Sequence, residues 1–390
     1  MPSASKVSFW RDARLYSVAL QALFLAALAA LIYFAFANAF ANMRAHAIPT
    51  DERYLDQVAG FDINQTLIPY GATSTYRRAF YVGLLNTLLV AGLGIVLASI
   101  IGLAVGVARL SSNAMVARFA TVYVEAIRNV PLLLQLLFWY NAVLSALPAP
   151  RQSFSLFGAI FLNLRGLYVP APAWSEGWSA IFGAALGGLV AAGAYGAVSA
   201  WWRRRGGRPL PHRALVAAML LLLPPLLAYG WFAGDVRLSV PQLKGFNFAG
   251  GAKLAPEFVA LLLGLVLYTA AFIAEIVRAG IMAVPRGQSE AALALGLTPA
   301  QARRYVVIPQ AMRVIVPPLT SQYLNLLKNS SLAVFIGYPD LVQVFMGVVL
   351  NQTGAAVQII FRTMLVYLAI SLAVSLAMNL YNRRLAVEGR

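Results

Sequence analysis

Two acid-base pairs stand inside long apolar runs of this sequence. Glu125 and Arg128 are three residues apart in one run, and Glu275 and Arg278 repeat that spacing in another. Residues three apart share one face of a helix, so each pair can partly neutralise its own charges. Charged residues at membrane depth are the default candidates for a solute path. The residues alone leave a second interpretation open, in which both pairs are structural and the two arginines extend towards the inner headgroups.

Further polar residues interrupt a later apolar run, between residues 319 and 349. Irregular backbone at membrane depth is tolerated only against protein or water, so the pattern predicts a broken helix beside a polar path. Together with the two pairs, these residues form the predicted substrate path, which consists of Glu275, Arg278, Glu125, Arg128, Lys328, Asn329, Ser330 and Asp340.

The composition offers little for catalysis. The chain has no cysteine, and its two histidines, His46 and His212, stand apart from each other and outside the apolar runs. A membrane-embedded enzyme would need a nucleophile with a base, or a metal cluster. No Gly-Lys pair followed by Ser or Thr is present, so the chain has no P-loop for ATP. We therefore predict no catalytic residue, no metal site, no bound cofactor and no enzymatic activity in this chain.

The composition is that of a membrane protein. Of 390 residues, 61% are hydrophobic and 11% are charged, against about 25% charged in soluble domains. The net charge of +17 could suggest nucleic acid, but nucleic-acid-binding proteins carry their basic residues on a soluble surface. Here Lys and Arg lie between apolar runs, as orientation signals on the cytoplasmic side. We predict a multi-pass protein of the inner membrane with both termini in the cytoplasm and no nucleic-acid partner.

Eight apolar runs are long enough to cross a bilayer, which takes about 20 residues. An all-α fold of about eight transmembrane helices is therefore expected. The predicted spans are 15–40, 80–107, 119–147, 178–201, 214–233, 257–280, 319–349 and 359–381.

The chain divides into three predicted regions. Residues 1–78 comprise a cytoplasmic segment, the first span and an outer loop; 79–382 form the transmembrane domain; and 383–390 are a cytoplasmic tail. Within the domain, a helical insertion at about 148–255 is rich in Pro, Gly, Ala and Trp. Gly183 and Gly187 have the small-x-x-x-small spacing that is typical of closely packed membrane helices.

The segment from Pro285 to Pro318 contains strong helix-boundary signals. A first helix at about 288–295 is expected to stop at Gly296, because glycine accepts the left-handed conformation that ends helices. Thr298 is then expected to cap a second helix, with Pro299 in the first helical position and Gln301 completing a capping box.

We expect Pro309, Pro317 and Pro318 to turn the chain before the next span. The result would be a compact helical hairpin with an apolar face and two basic residues, Arg303 and Arg304. Such an element suits a groove in a soluble partner. The alternative is an interfacial helix that rests on anionic lipid.

This segment resembles the EAA loop of ABC importer permeases. That signature has E-A-A, three residues, G, nine residues and I-x-L-P, and the sequence departs from it only by Val306 and Ile308. The resemblance implies a type I ABC importer permease fold and a loop that docks on a separate ATPase subunit, which uses the ATP. The residues that carry this role by resemblance are Glu290, Ala291, Ala292, Gly296 and Pro309.

Other segments resemble the polar amino-acid branch, the histidine and glutamine permease type, and are closest in character to general L-amino-acid permeases. The similar motifs are 86–88 (NTL), 109–111 (RLS), 123–131 (YVEAIRNVP), 274–280 (AEIVRAG), 327–331 (LKNSS) and 337–340 (GYPD). The resemblance implies the permease subunit of an ATP-driven, binding-protein-dependent amino-acid importer. Its implied partners are an ABC ATPase, a second permease subunit, homologous or identical, and an extracytoplasmic amino-acid-binding protein.

An ion-gradient-driven secondary transporter of small polar solutes is the alternative, because such proteins also use broken helices and mid-membrane carboxylates. It needs no ATPase and leaves the 285–318 motif unexplained. The residues leave open which amino acids are carried and whether the permease pairs as a homodimer or a heterodimer.

Overall fold

The computed structural model describes residues 13–45, 52–205 and 212–386. The predicted N-terminal cytoplasmic segment up to residue 12, His46 and the last four residues of the predicted tail lie outside this description. The described chain is mainly helical, which confirms the predicted class. The helices are α1 Ala13–Ala45, α2 Tyr76–Ala108, α3 Ala114–Arg128, α4 Leu132–Leu137, α5 Glu176–Arg204, α6 Arg213–Trp231, α7 Pro256–Met282, α8 Arg286–Ala294, α9 Pro299–Ala302, α10 Ile308–Asn329, α11 Leu350–Thr353 and α12 Ala356–Ala386.

Eight short strands, which the sequence did not predict, also occur. They are β1 Phe154–Leu156, β2 Ile160–Asn163, β3 Gly166–Val169, β4 Ala171–Pro172, β5 Leu238–Ser239, β6 Gln242–Lys244, β7 Asn247–Ala249 and β8 Ala252–Leu254. They form a four-stranded antiparallel sheet in the order β1-β2-β3-β8 and two two-stranded ribbons, β4-β5 and β6-β7. These elements flank the α5–α6 pair on both sides in sequence.

Five of the described helices are long and apolar enough to cross a membrane: Tyr16–Asn38, Tyr76–Ala108, Glu176–Trp202, Pro256–Met282 and Ala356–Arg383. Each coincides with a predicted span. The run 119–147 is a bent pair, α3 and α4 with the π-helical turns that follow, and it makes a sixth span if it crosses as one. The run 214–233 contains the shorter apolar helix Leu215–Trp231.

The predicted span 319–349 is not one helix. Helical structure runs from Pro299 through a π-helical segment, Arg303–Val307, into α10 and on to Asn329. Pro309 therefore does not turn the chain; it lies within continuous helical structure, directly after the π-helical segment. Pro317 and Pro318 also lie inside α10, and membrane helices tolerate such prolines when neighbouring groups satisfy the freed carbonyls.

The helix breaks after Asn329, in the region where polar residues predicted a break. A 3-10 segment, Ser330–Ile336, ends at Gly337, whose φ is +76°. A π-helical segment, Gln343–Val349, and α11 follow, and α12 then begins after Gly354.

Three helices form the centre of the bundle. α2 and α7 run in the same direction, because a Cβ added at Gly102 would lie 2.6 Å from Ile273 Cβ and one added at Gly106 would lie 2.7 Å from Val277 Cβ. α10 runs the opposite way, since a Cβ at Gly280, near the end of α7, would meet Ile315, whereas one at Gly94, near the middle of α2, would meet Leu326. Small residues let backbones approach this closely. The end of the bundle at which α2 and α7 finish is called the loop end below.

The α5–α6 pair is a close antiparallel hairpin, although its contact differs from the prediction. A Cβ at Gly188 would lie 2.2 Å from the Leu220 carbonyl oxygen, whereas Gly183 and Gly187 have open space around them. Within this hairpin the close contact with α6 is therefore made by Gly188, and not by the predicted Gly183 and Gly187. The period of a helix identifies a face but not which neighbour that face meets.

Residues 52–75 form an ordered cap at the end opposite the loop end. Tyr54 and Leu55, in the 3-10 turn Arg53–Asp56, pack on Phe345 and Ile359. Arg77 makes two 2.9 Å hydrogen bonds to the Asp56 carboxylate. The hydrogen bonds from Arg77 lower the pKa of Asp56 below its usual value.

Candidate functional site

The segment between α7 and α10 contains two well-formed helix boundaries. Gly296, which has φ of +85°, follows α8. Its N–H donates 2.9 Å to the Leu293 carbonyl, and the Leu297 N–H donates 3.2 Å to the Ala292 carbonyl. These two bonds define a Schellman motif, which satisfies the last carbonyls of the helix. The predicted stop at Gly296 is confirmed.

The predicted capping box at Thr298 is also confirmed. The Thr298 hydroxyl accepts from the Gln301 N–H at 3.3 Å, and the Gln301 side-chain oxygen accepts from the Thr298 N–H at 2.9 Å. The Gln310 amide then donates 3.2 Å to Gln288, which ties α10 to α8. α8 is thereby held against the start of the long helix.

The outer surface of this segment is partly apolar. Ala292 and Ala302 are buried inside it, whereas Leu295 is 84% exposed and Leu293 and Tyr305 are also exposed. Glu290, Ala291, Gly296 and Pro309 all lie at the surface. Of the five residues assigned to docking by resemblance, only Ala292 is internal. This segment, 286–307, is called the coupling segment below.

Glu275 is surrounded by three guanidinium groups. Arg278 Nη2 lies 2.5 Å from Glu275 Oε1, which confirms the predicted pair within α7. Arg109, which follows α2, contacts Glu275 Oε2, and Arg128 Nη1 lies 4.0 Å from the same oxygen. The sequence did not predict the Arg109 contact, because it joins residues 166 positions apart. In the sequence, Arg109 was singled out only as part of the RLS motif at 109–111.

The predicted pair of Glu125 and Arg128 does not form. The guanidinium carbon of Arg128 instead lies 5.0 Å from the centroid of the Phe272 ring. The prediction was wrong because spacing along one helix says nothing about competing partners on the next. Glu125 is exposed on α3.

Asp340 and Ser330 are fully buried. Asp340 Oδ1 accepts 2.8 Å from the Gln343 N–H, as an N-cap of the following helix, and its other oxygen accepts 3.1 Å from the Tyr367 hydroxyl. The Ser330 hydroxyl donates 2.7 Å to the Leu327 carbonyl. Lys328 is exposed, and Asn329 is partly exposed. The predicted path residues therefore fall into separate groups: a charged cluster towards the loop end, residues 328–330 at the helix break, and Asp340 in a buried turn at 337–341.

Asn86 and Thr87 hold that turn against α2, a role the sequence did not indicate beyond the NTL motif. The Asn86 amide donates 2.9 Å to the Pro339 carbonyl and 2.9 Å to the Gln65 carbonyl. The Thr87 hydroxyl accepts 3.0 Å from the Leu341 N–H. Both side chains are fully buried. They join α2, the cap and the helix break into one unit.

Within residues 13–45, 52–205 and 212–386, no group of three or more His, Asp or Glu side chains could hold a metal ion. The charged cluster around Glu275 offers one carboxylate and three cations, which suits an anion or an ion pair better than a metal.

Several helices long and apolar enough to cross a membrane, joined by a capped segment at one end, are the structure of a multi-pass membrane protein. The family model for the binding-protein-dependent transport system inner membrane component matches residues 94–387. The chain belongs to this family.

Relatives match the chain over nearly its full length. YhdX of Escherichia coli strain K12, a putative amino-acid ABC transporter permease protein, is 50% identical over 370 residues, which cover 95% of this chain and 94% of YhdX. AapQ of Rhizobium johnstonii, a general L-amino acid transport system permease protein, is 45% identical over 382 residues, covering 97% and 94%. These matches confirm the resemblance to polar amino-acid ABC permeases.

A solved amino acid ABC transporter with histidines is 24% identical, covers 79% of this chain and 95% of its own, and superposes with a TM-score of 0.47.

Proposed function

We propose that this chain is the membrane-spanning permease subunit of an ATP-driven, binding-protein-dependent importer of polar amino acids. Full-length similarity to amino-acid ABC permeases supports the assignment. The coupling segment supports the dependence on a separate ATPase, because its two capped boundaries present a fixed, partly apolar surface at the loop end. An ion-gradient-driven transporter would leave that segment without a role.

Membership of the family implies an ATPase subunit and another permease subunit as partners. We assign ATP binding and hydrolysis to the ATPase, with no cofactor held by this chain. Leu293, Leu295 and Tyr305 supply apolar side chains that a soluble groove would bury. Glu290 lies on the same exposed segment. The rigid caps then transmit movement of the ATPase into α10, because α9, the π-helical turns and α10 are continuous.

The proposed orientation places the loop end in the cytoplasm of a bacterial inner membrane, with both termini on that side. The concentration of Lys and Arg around the coupling segment and after α2 supports this orientation. The cap at 52–75 and the eight strands then face outwards. That side is where an extracytoplasmic amino-acid-binding protein would deliver its ligand.

Substitution of one glycine tests the coupling segment. Gly296→Val forces a β-branched residue to a φ of +85°, which is strongly disfavoured. Gly287→Val is the matched control, since Gly287 lies in the same segment with equal open space and no positive φ. In the reconstituted complex we expect Gly296→Val to abolish amino-acid uptake or its coupling to ATP hydrolysis, and Gly287→Val to retain both. Normal coupled uptake and ATPase association in Gly296→Val would refute the docking role.

A further inference from the structure

We propose that Glu125 and Arg128 form the intramembrane site for the two charges of an amino-acid substrate, with Glu125 binding the ammonium and Arg128 the carboxylate. The inference rests on the proposed function and gives that function a site with defined chemistry. Four observations support it.

The first observation is that the Glu125 carboxylate is unsatisfied. Its side chain is exposed on α3, and within the described ranges no hydrogen bond, ion pair or other partner reaches it. An ionised carboxylate that faces lipid is costly, so such residues face a water-filled cavity or a partner instead. Glu125 therefore faces a polar space that this chain alone does not fill.

The second observation is the depth of this side chain. Val124, the preceding residue, is buried against Ala271 and Ala274 of α7. These residues lie eight to eleven positions before the end of α7 at Met282, which is about 12–16 Å along the helix at 1.5 Å per residue. Glu125 is thus well inside a hydrocarbon core of about 30 Å.

The third observation is that Arg128, unlike the other two arginines of the cluster, makes no hydrogen bond to Glu275. Arg278 and Arg109 are hydrogen-bonded to the two oxygens of Glu275, whereas Arg128 remains 4.0 Å away. Its side chain is 38% exposed, against 10% for Arg109. A guanidinium has five N–H donors and binds carboxylates in a bidentate manner. The cluster carries three cations and one anion, so a bound carboxylate would reduce its excess positive charge.

The fourth observation is the spacing. Residues three apart on a helix have Cβ atoms about 5–6 Å from each other, yet Glu125 and Arg128 make no ion pair. The Arg128 guanidinium lies over the Phe272 ring instead. A zwitterion, whose ammonium and carboxylate are joined through one carbon, can bridge two such groups. Both oxygens of Glu275 already accept from arginines, whereas no such donor among the described residues reaches the Glu125 carboxylate.

The pair would recognise only the atoms that all amino acids share. Towards the start of α3, an open groove of about 430 Å³ is lined by Ala114, Met115, Arg118, Phe119 and Val122. That space leaves room for side chains of different sizes. A site of this kind fits broad transport, with selection among amino acids left to other parts of the system.

The test uses three probes of matched shape on the purified permease–ATPase complex without its binding protein. L-glutamine carries both charges, glutaramate lacks the α-ammonium, and 4-aminobutanamide lacks the α-carboxylate. We expect the wild type to bind L-glutamine at least tenfold more tightly than either analogue. Glu125→Gln should remove the preference over glutaramate alone, and Arg128→Gln the preference over 4-aminobutanamide alone. Arg128→Lys should restore part of the latter. Glu257→Gln, a carboxylate change at the far end of α7, should alter neither.

The outcomes separate the two proposals. Wild-type proteoliposomes that import no amino acid would refute the proposed function. Wild-type uptake together with unchanged probe preferences in both variants, or with no wild-type preference for L-glutamine, would overturn the Glu125–Arg128 site and leave the importer assignment standing. Thermal unfolding of each variant shows that the complexes compared are folded.

Discussion

The side-chain amide of Gln135 donates 2.8 Å to the backbone carbonyl of Ile127, across a 103° bend between α3 and α4. It also donates 2.9 Å to the Val130 carbonyl, and Gln135 is almost fully buried. One side chain therefore satisfies two carbonyls that the end of α3 leaves free. The bend places Arg128 at the corner of this span.

We expect Gln135→Leu to destabilise the protein by about 1–3 kcal/mol, because two hydrogen bonds, each worth about 0.5–1.5 kcal/mol, are lost. Thermal unfolding in detergent measures the change. Gln135→Glu is a useful comparison, since it keeps the size but replaces the NH₂ donor. A melting temperature unchanged in Gln135→Leu would show that the bend does not depend on this amide.

Close contact between α2 and α7 predicts a second effect on stability. Gly106→Ala places a Cβ 2.7 Å from Val277 Cβ and 2.8 Å from the Ala274 carbonyl oxygen. Overpacking of this kind costs about 1–3 kcal/mol. Gly92→Ala is the control on the same helix, because the space at Gly92 is open. Equal unfolding temperatures for the two variants would contradict the close contact of α2 with α7 at Gly106.

Substitutions of Asp340 distinguish a structural role of this residue from a role in transport. As an N-cap, it should tolerate Asn, which caps almost as well, while Asp340→Ala should cost about 0.5–2 kcal/mol. We therefore expect Asp340→Asn to keep most of the uptake and stability, and Asp340→Ala to lose stability. If Asp340→Asn abolishes uptake in a fully folded complex, the negative charge itself is required and Asp340 belongs to the path.

The cap supplies a pH-dependent contact. Since Arg77 lowers the folded-state pKa of Asp56, their interaction stabilises the protein above the unfolded-state pKa and is lost as pH falls through the lower, folded-state value. We expect the melting temperature of Asp56→Asn to lie slightly below that of the wild type near neutral pH and to approach it in acid. Asp62→Asn serves as the comparison, and a difference for Asp56→Asn that persists below the folded-state pKa would exclude this ion pair as its cause.

Local chemistry made the coupling segment predictable. Gly296 and Thr298 fix their backbone through contacts within a few residues, so the Schellman motif and the capping box could be predicted before any fold was known. The helical spans were predictable for a similar reason, because their composition alone meets the demands of lipid.

Contacts between distant segments could not be predicted in the same way. The partners of Glu275 depend on how α2, α3 and α7 meet, and that arrangement replaced the expected Glu125–Arg128 pair with contacts from Arg109 and Arg128. The contact of Gly188 with α6 was not predicted, because the helical period of the glycines does not show which face of α5 meets the neighbouring helix. The prolines of α10 were wrongly predicted to turn the chain, because a packed membrane bundle tolerates the helix-breaking effect of proline better than water does.

Cysteine crosslinking at Leu295 tests the central claim most directly. The chain contains no cysteine, so Leu295→Cys introduces a single thiol on the 84% exposed tip of the coupling segment. Phe157→Cys, on a 92% exposed residue among the strands, is the control. We predict that a short bifunctional reagent joins Leu295→Cys, but not Phe157→Cys, to the ATPase subunit in membranes. Crosslinking of Phe157→Cys alone, or of neither variant in a complex that transports, would contradict ATPase docking at this segment.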